Sequence, residues 1–339
     1  MTFFIDYLTG PAAIETGKPV ESTWKPPASF TQISSNLKIL KPEIVPGNVQ
    51  QKVFVLAIIS SSPKNILQRN AIRHTWGKYQ KQNGAIADLK WKTVFMMGRT
   101  FRGIRDREVE KEAEKYGDII RGSYLDRYDS ITTKVLMAYN WAITIKCAYV
   151  FHGDDDIYVS FPNLIRWLTA TQIPDPLYGG FVITGTVHRT KSNRHYVDPA
   201  SFAEKDYPLY CKGALYVMSW KLLPSLVTAS KSFIRITPDD AYIGILMREL
   251  GVQPYSIPGI KHRRLLTYFL KFVNPCYFKD LLAISDSLTH KQIYYVHRLI
   301  HQDSWFCIPD WIVGIMPFVT ACLVTWYFLR VIRLVYPVQ

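Results

Sequence analysis

Between residues 53 and 260 the chain alternates short apolar runs with stretches whose apolar residues recur at helical spacing. Val53 to Ser60 is continuous and rich in β-branched residues, which predicts a strand buried on both faces. Ser61-Ser62-Pro63 follows and predicts a helix start, Pro being suited to the first turn. Trp91 to Met97, closed by Gly98, predicts a second strand, and Gly117 to Ile120 a short third one. Between them Ile104 to Lys115 is dense in Glu and Lys (Glu108, Glu110, Lys111, Glu112, Glu114), the pattern of a solvent-facing helix. Ser130 is placed to cap a long helix, Ile131 to Lys146, with Lys134 in its first turn. Ala148 to Phe151 is a fourth strand, and it runs into Asp154-Asp155-Asp156.

Later elements are a helix over Phe161 to Thr169, a strand over Leu177 to Thr184, and a polar loop over residues 187–206, expected to cross a cleft. Tyr207 to Ser219 combines a turn, Gly213 and a strand. Thr237 is placed to cap a helix with Pro238 in first position and Asp239 and Asp240 in its first turn. Strands alternating with helices predict βαβ units, a mostly parallel sheet, and ligands at the strand carboxyl ends. No GxGxxG follows the first strand and no GxxxxGK[ST] occurs, so neither a dinucleotide fold nor a P-loop is supported. There is no internal repeat.

Three adjacent carboxylates repel one another, and two readings follow. Either they hold a hard divalent cation, Mn²⁺ or Mg²⁺, or they form an exposed acidic turn. Their place at the carboxyl end of a strand favours the cation. Arg69 and Arg73, spaced i, i+4 on one helix face, either clamp phosphates or form a solvated basic face. Asp239 and Asp240 either complement the helix dipole or aim a catalytic carboxylate into the cleft.

Composition narrows the picture. The chain has 339 residues, 48% of them hydrophobic, enough for a sizeable core and against global disorder. The formal charge of +14 admits nucleic acid, a membrane face or an anionic ligand such as a nucleotide. The basic residues are scattered, with the tightest cluster at Lys261-His-Arg-Arg264, and nucleic acid is not expected. None of the five cysteines (Cys147, Cys211, Cys276, Cys307, Cys322) has zinc-ligand spacing; apart from Cys322, they are either disulfide partners or buried thiols. There is no Asn-x-Ser/Thr sequon. Residues 1–50 are rich in Pro, Ser and Thr and read as a stem, and residues 51–300 as the folded domain. Trp311 to Leu329 carries no charge and is flanked by Arg330 and Arg333. It is either a transmembrane helix, with the tail cytosolic and the domain lumenal, or a helix docked on the domain.

A metal–diphosphate site needs oxygen ligands and nearby cations, and a hydroxyl nucleophile needs a base. The motifs that match this chemistry occur in order. They are Arg69-Asn-Ala-Ile-Arg73-His-Thr-Trp76, Phe95-Met-Met-Gly98, Tyr116-Gly-Asp118-Ile-Ile120, and Asp126-Arg-Tyr128-Asp-Ser-Ile-Thr-Thr-Lys134. Trp141, Cys147, Asp154-Asp155-Asp156, Tyr207-Pro-Leu-Tyr210-Cys211-Lys-Gly213 and Pro238-Asp239-Asp240-Ala-Tyr242-Ile-Gly244 follow. With this ordered set, over about residues 52–260, the chain resembles glycosyltransferase family 31, the β-1,3-galactosyltransferase and β-1,3-N-acetylglucosaminyltransferase group.

The resemblance implies a GT-A-like α/β fold, a UDP-sugar donor, Mn²⁺, a glycan acceptor on a glycoprotein or glycolipid, and inverting transfer of galactose or an N-acetylhexosamine. It also implies a Golgi membrane location with the catalytic domain lumenal. Asp156 would bind the metal, with Asp154 and Asp155 completing the acidic turn around UDP. Arg69 and Arg73 would lie on the nucleotide side, with Phe95 and Gly98 near uracil or ribose, and Asp126 and Lys134 belong to the same motif set. Asp240 matches the acid that deprotonates the acceptor, with Asp239 its neighbour. The family usually has Glu-Asp-Val where this chain has Asp239-Asp240-Ala241. It also carries an N-terminal signal anchor, for which Phe3-Phe4-Ile5 is too short, and a late metal-binding His, for which His262 and His290 are candidates. Outside this class the alternatives are a non-catalytic sugar- or nucleotide-binding protein and a metal-dependent phosphoryl transferase or nuclease.

Overall fold

The structure, a computed structural model, describes residues 38–47, 53–169, 173–262, 278, 281–285, 287–301 and 325–327. The apolar run Val53–Ser60 is strand β1, buried on both faces. Beside it in parallel lie β2 (Trp91–Arg99) and β4 (Cys147–Asp154), and β3 (Ile119–Leu125) pairs in parallel with β2. β7 (Tyr210–Ser219) runs antiparallel to β4, β6 (Tyr178–Ile183) antiparallel to β7, and β8 (Tyr255–Ser256) parallel to β6. The sheet therefore has the order β3-β2-β1-β4-β7-β6-β8, mostly parallel, as the alternating pattern predicts. A small second sheet, β5-β10-β9, joins Tyr158–Val159, Ala283–Ser285 and Ile260–His262.

Alternate residues of β1 and β2 feed two cores, one on each sheet face. Leu56, Ile58, Val94 and Met96 pack with helices α3 (Ile131–Ala142), α5 (Leu223–Ala229) and α6 (Asp239–Glu249). Val55, Ala57, Ile59, Phe95 and Met97 pack with α1 (Ile66–His74), α4 (Phe161–Leu168), α7 (His290–His301) and the small sheet. This three-layer α/β arrangement leaves the carboxyl ends of β1, β2 and β4 at one edge, where a ligand binds in such sheets.

Several element starts differ from expectation. Helix α1 begins at Ile66 rather than beside Pro63, because Ser61 and Ser62 turn back into other contacts. The Ser130 hydroxyl does not cap α3; it accepts from the Arg127 backbone N–H and donates to the Leu125 carbonyl. Pro238, not Thr237, is the extended residue before α6. The helix over Gly103–Tyr116, α2, is not wholly solvent-facing, since Val109 and Glu112 are buried. Of the proposed stem, residues 38–47 form no helix, and Ile44 bridges to Arg121 on edge strand β3. Residues 1–37 and, apart from 325–327, residues 311–329 lie outside the described residues, and among those described no helix is long and apolar enough to cross a membrane. Cys147 and Cys211 are free thiols, whereas Cys276, Cys307 and Cys322 lie outside the described residues.

Candidate active site

The end of β4 organises the cleft. Parallel pairing puts Asp154 opposite Ser60 of β1, so the acidic triplet emerges beside the turn that leaves β1. The three carboxylates then part company. Asp155 points inward, is 7% exposed, accepts from Ser61 Oγ at 2.6 Å, and is within 3.0 Å of Asn65 Nδ2. Burial pushes its pKa up, and these hydrogen bonds offset part of the rise. Asp154 and Asp156 instead line a cleft of about 580 Å³. Asp154 forms no hydrogen bond or ion pair among the described residues. Burial first, then the charges of Asp156, Asp239 and Asp155, raise its pKa well above the carboxylate range.

Across the same cleft, α6 presents Asp239 and Asp240. Two glycines bring this helix close. A Cβ on Gly244 would collide with the Tyr210 side chain on β7, and a Cβ on Gly213 would sit 3.0 Å from Asp240 Cβ. Asp240 Oδ2 accepts from Gly213 N at 2.8 Å, and Oδ1 accepts from Ala241 N at 2.8 Å. Both backbone donors favour the charged form, but burial dominates and the pKa is raised. Burial, with Asp240 next to it, raises Asp239 as well. A carboxylate held by two backbone N–H groups, with a lone pair left on each oxygen, is built to accept a proton at a fixed place.

Asp126 and Lys134 join Gly98 behind this cleft. Gly98 N donates to Asp126 Oδ2 at 2.7 Å, and Lys134 Nζ lies 3.4 Å from Asp126 Oδ1 and 3.2 Å from the Ser61 carbonyl. Lys134 is buried, and its charge bears on Asp154, Asp155 and Asp239.

Arg69, Arg73 and Phe95 are placed elsewhere. Arg69 is fully buried, and its N–H groups donate to Glu112 (2.6 and 2.7 Å), Ser61 Oγ, and the Ser62 and Pro63 carbonyls. With those donors engaged it has none to offer a phosphate; through Ser61 it braces Asp155 instead. Arg73 chelates Asp118 at 2.8 Å, reaches Glu112 at 2.7 Å, and lies over the rings of Tyr116 and Phe95. Neither a phosphate clamp nor a solvated basic face describes the pair. Arg73 and the fully buried Phe95 border a separate hollow of about 310 Å³, lined also by Trp91 and Thr93 nearer the start of β2, and neither lines the acidic cleft.

Sequence reasoning missed His188, His195, Tyr128, Tyr207 and Tyr210, which line the cleft. For the histidines the signal was the polar loop over 187–206, whose cleft-crossing position was expected though its residues were not; the three tyrosines stood in the ordered motifs ending at Lys134 and Gly213 without being assigned to the site. Of the late histidines, His262 ends β9 in register with Ser285, two residues before the cleft-lining Ser287, while His290 opens α7.

The described residues offer two carboxylates, Asp154 and Asp156, to a cation, and no set of three or more His, Cys, Asp or Glu side chains among them is arranged to hold one. The donor set nevertheless fits a hard divalent ion. It is all oxygen, the Asp154 carboxylate has no hydrogen-bond or ion-pair partner among the described residues, and the local charge is in excess.

Comparison with known proteins bears on this geometry. The family model described as Galactosyltransferase matches residues 67–258, more than half of the chain. The chain belongs to this galactosyltransferase family. Its relatives include Beta-1,3-galactosyltransferase 1 of Homo sapiens, 30% identical over 213 residues, 62% of this chain and 64% of that protein. N-acetyllactosaminide beta-1,3-N-acetylglucosaminyltransferase 3 of Homo sapiens is 28% identical over 265 residues, 75% of this chain and 70% of that protein. The chain thus spans a little under two thirds of the length of the first. A galactosyltransferase solved with donor and acceptor sugar analogues has a TM-score of 0.35 and 10% identity over 76% of this chain and 99% of that one, too distant to add to the assignment.

Proposed function

We propose that this galactosyltransferase-family chain is an inverting, UDP-sugar-dependent β-1,3-hexosyltransferase that moves galactose or an N-acetylhexosamine to a glycan hydroxyl on a glycoprotein or glycolipid. The observation that carries the proposal is one cleft with two acidic walls: Asp154 and Asp156 on the β4 side, Asp239 and Asp240 on the α6 side. The first wall suits a cation and a diphosphate, the second a proton.

Asp154 and Asp156 would hold the cation, Mn²⁺ by family likeness; when bound, it would neutralise the diphosphate that leaves as UDP when the sugar is transferred. Lys134, buried behind the wall, adds a fixed positive charge at that end. At the other end Asp240 accepts the proton of the acceptor hydroxyl as its oxygen bonds to the anomeric carbon and the bond to UDP breaks. Attack from the face opposite UDP converts an α-linked donor to a β-linkage. The Gly213 and Ala241 N–H groups keep the Asp240 oxygens aimed throughout. Asp155 does not face the ligand in this scheme; it fixes the β4 turn. By the same family likeness the protein works at the Golgi membrane with this domain lumenal, and the segment at 311–329 is its candidate anchor.

Incubating purified protein with UDP-galactose, UDP-N-acetylglucosamine or UDP-N-acetylgalactosamine, with and without β-linked acceptor sugars, in Mn²⁺ or EDTA, tests this. The expected result is acceptor-stimulated UDP release with at least one donor, abolished by EDTA. No Mn²⁺-dependent release with any donor and acceptor would overturn the proposal.

A further inference from the structure

Three buried side-chain polar atoms have no hydrogen-bond partner among the described residues: Arg121 Nε, Arg235 Nε and Tyr207 Oη. The two arginines bond through their other nitrogens, and only Tyr207 leaves its whole polar group unsatisfied. Burying such a group without a partner is unfavourable. The fold does not need it. Tyr207 is fixed by its backbone, with N donating to the Gly185 carbonyl at 2.9 Å and its own carbonyl accepting from Thr184 Oγ1 at 3.1 Å. Its ring stacks on Phe202 at 5.7 Å and meets Tyr210 edge-on at 6.0 Å. A phenylalanine would fill the same space.

Resting on the transferase reading above, we infer that Tyr207 is an acceptor-recognising residue whose hydroxyl donates a hydrogen bond to a second hydroxyl of the acceptor sugar, beside the one that Asp240 deprotonates. Tyr207 and Asp240 line the same cleft. The neighbouring Tyr128 is set up alike. Arg194 Nε donates to His195 Nε2 at 3.1 Å, so a neutral His195 carries its hydrogen on Nδ1 and donates it to Tyr128 Oη, 2.7 Å away. Burial, with Arg194 and His188 nearby, lowers the His195 pKa and keeps that ring neutral. The Tyr128 O–H hydrogen is left over on the cleft wall. Two spare phenolic donors beside the carboxylate acceptors of Asp239 and Asp240 give a wall that can both donate and accept, and the acids repel an anion. Such a wall suits a neutral polyol.

The test compares wild type with Tyr207→Phe, using the methyl glycoside acceptor that wild type takes and its monodeoxy derivatives. The variant should raise the acceptor KM about tenfold, the effect of one neutral hydrogen bond. Donor KM and acceptor-independent UDP release should not move, and thermal stability should be unchanged or higher. One monodeoxy acceptor should suffer the same loss in wild type and no further loss in the variant. An unchanged acceptor KM, equal further losses with every monodeoxy acceptor, or a marked fall in melting temperature would overturn the inference while wild-type transfer left the activity standing. Absence of wild-type transfer from every donor would overturn the transferase reading and this inference with it.

Discussion

Two clusters of charge lie a few residues apart in this fold, and they are built on opposite terms. Around Arg69 and Arg73 two guanidiniums face Glu112 and Asp118 at 2.6–2.8 Å in a buried, balanced network. Around Asp154 and Asp240 four carboxylates face one cleft with excess negative charge. Burial alone raises the pKa of an acid in either place. In the first cluster Arg69 and Arg73 outweigh burial and hold Glu112 below the ordinary range. In the second nothing does, and Asp154, Asp239 and Asp240 are all raised. Balanced charge marks the scaffold here, and imbalance marks where a ligand belongs.

The sharpest way to separate the two is to neutralise one acid of the cleft. Asp240→Asn keeps the shape and removes the base, so transfer should fall about 10²–10⁴-fold. UDP binding, read by calorimetry, should hold, and the melting temperature should stay level or rise because a repelling charge is gone. Transfer at the wild-type rate would dismiss Asp240 as the base.

The same operation on the scaffold should do the reverse. Arg69→Met leaves Glu112 short of a partner, and breaking a buried pair costs about 3–5 kcal/mol. Denaturant unfolding should register that loss, while the folded fraction at low temperature keeps most of its activity, since Arg69 has no donor left for substrate. A variant as stable as wild type but unable to bind UDP would return Arg69 to the nucleotide.

A smaller probe moves an acid without changing its charge. In Gly213→Ala the added Cβ meets Asp240 Cβ at 3.0 Å and Oδ2 at 3.1 Å, so the carboxylate must shift off the Gly213 N–H. A misplacement of that kind should lower kcat about tenfold with donor KM intact. Full activity in this variant would mean that the placement of Asp240 is not critical.

How much of this contrast the sequence held depends on the range of the interaction. Strands β1, β2 and β4 are legible because each is a local apolar run, and their alternation with helices is enough to put Asp154 at a carboxyl end. Asp239 and Asp240 at a helix start are legible for the same reason. The Arg69–Glu112 pair is not, because 43 residues separate its members and Glu112 sits in a stretch whose local pattern is that of a solvated helix. Nor does the i, i+4 spacing of Arg69 and Arg73 say whether they meet a ligand or two acids. Tyr207 and His195 lie in a loop or at its end, where no period constrains direction, so only the fold shows them entering the cleft.

The mildest test is pH, and its sign differs between the clusters. Asp239 and Asp240 are raised by burial, so between the ordinary aspartate value of about 4 and their folded values the native state holds protons that the unfolded chain has released. Their contribution to stability is present at low pH and is lost as pH rises through those folded values. Glu112 is lowered, so its contribution is present above the ordinary glutamate value and is lost as pH falls through its folded value. Acidifying the EDTA-treated protein from neutral should therefore first raise its melting temperature as the cleft acids take up protons. Only on further acidification should it fall, as the Arg69–Glu112 pair loses its charge. Transfer in Mn²⁺ should decline over the upper part of that range, where stability is rising, because a protonated Asp240 cannot accept the acceptor's proton. Asp239→Asn and Asp240→Asn should each flatten the upper limb and leave the acid collapse in place. A melting temperature that falls steadily from neutral pH, with no rise and no response to either substitution, would mean that the cleft carboxylates are as well satisfied as those of the scaffold.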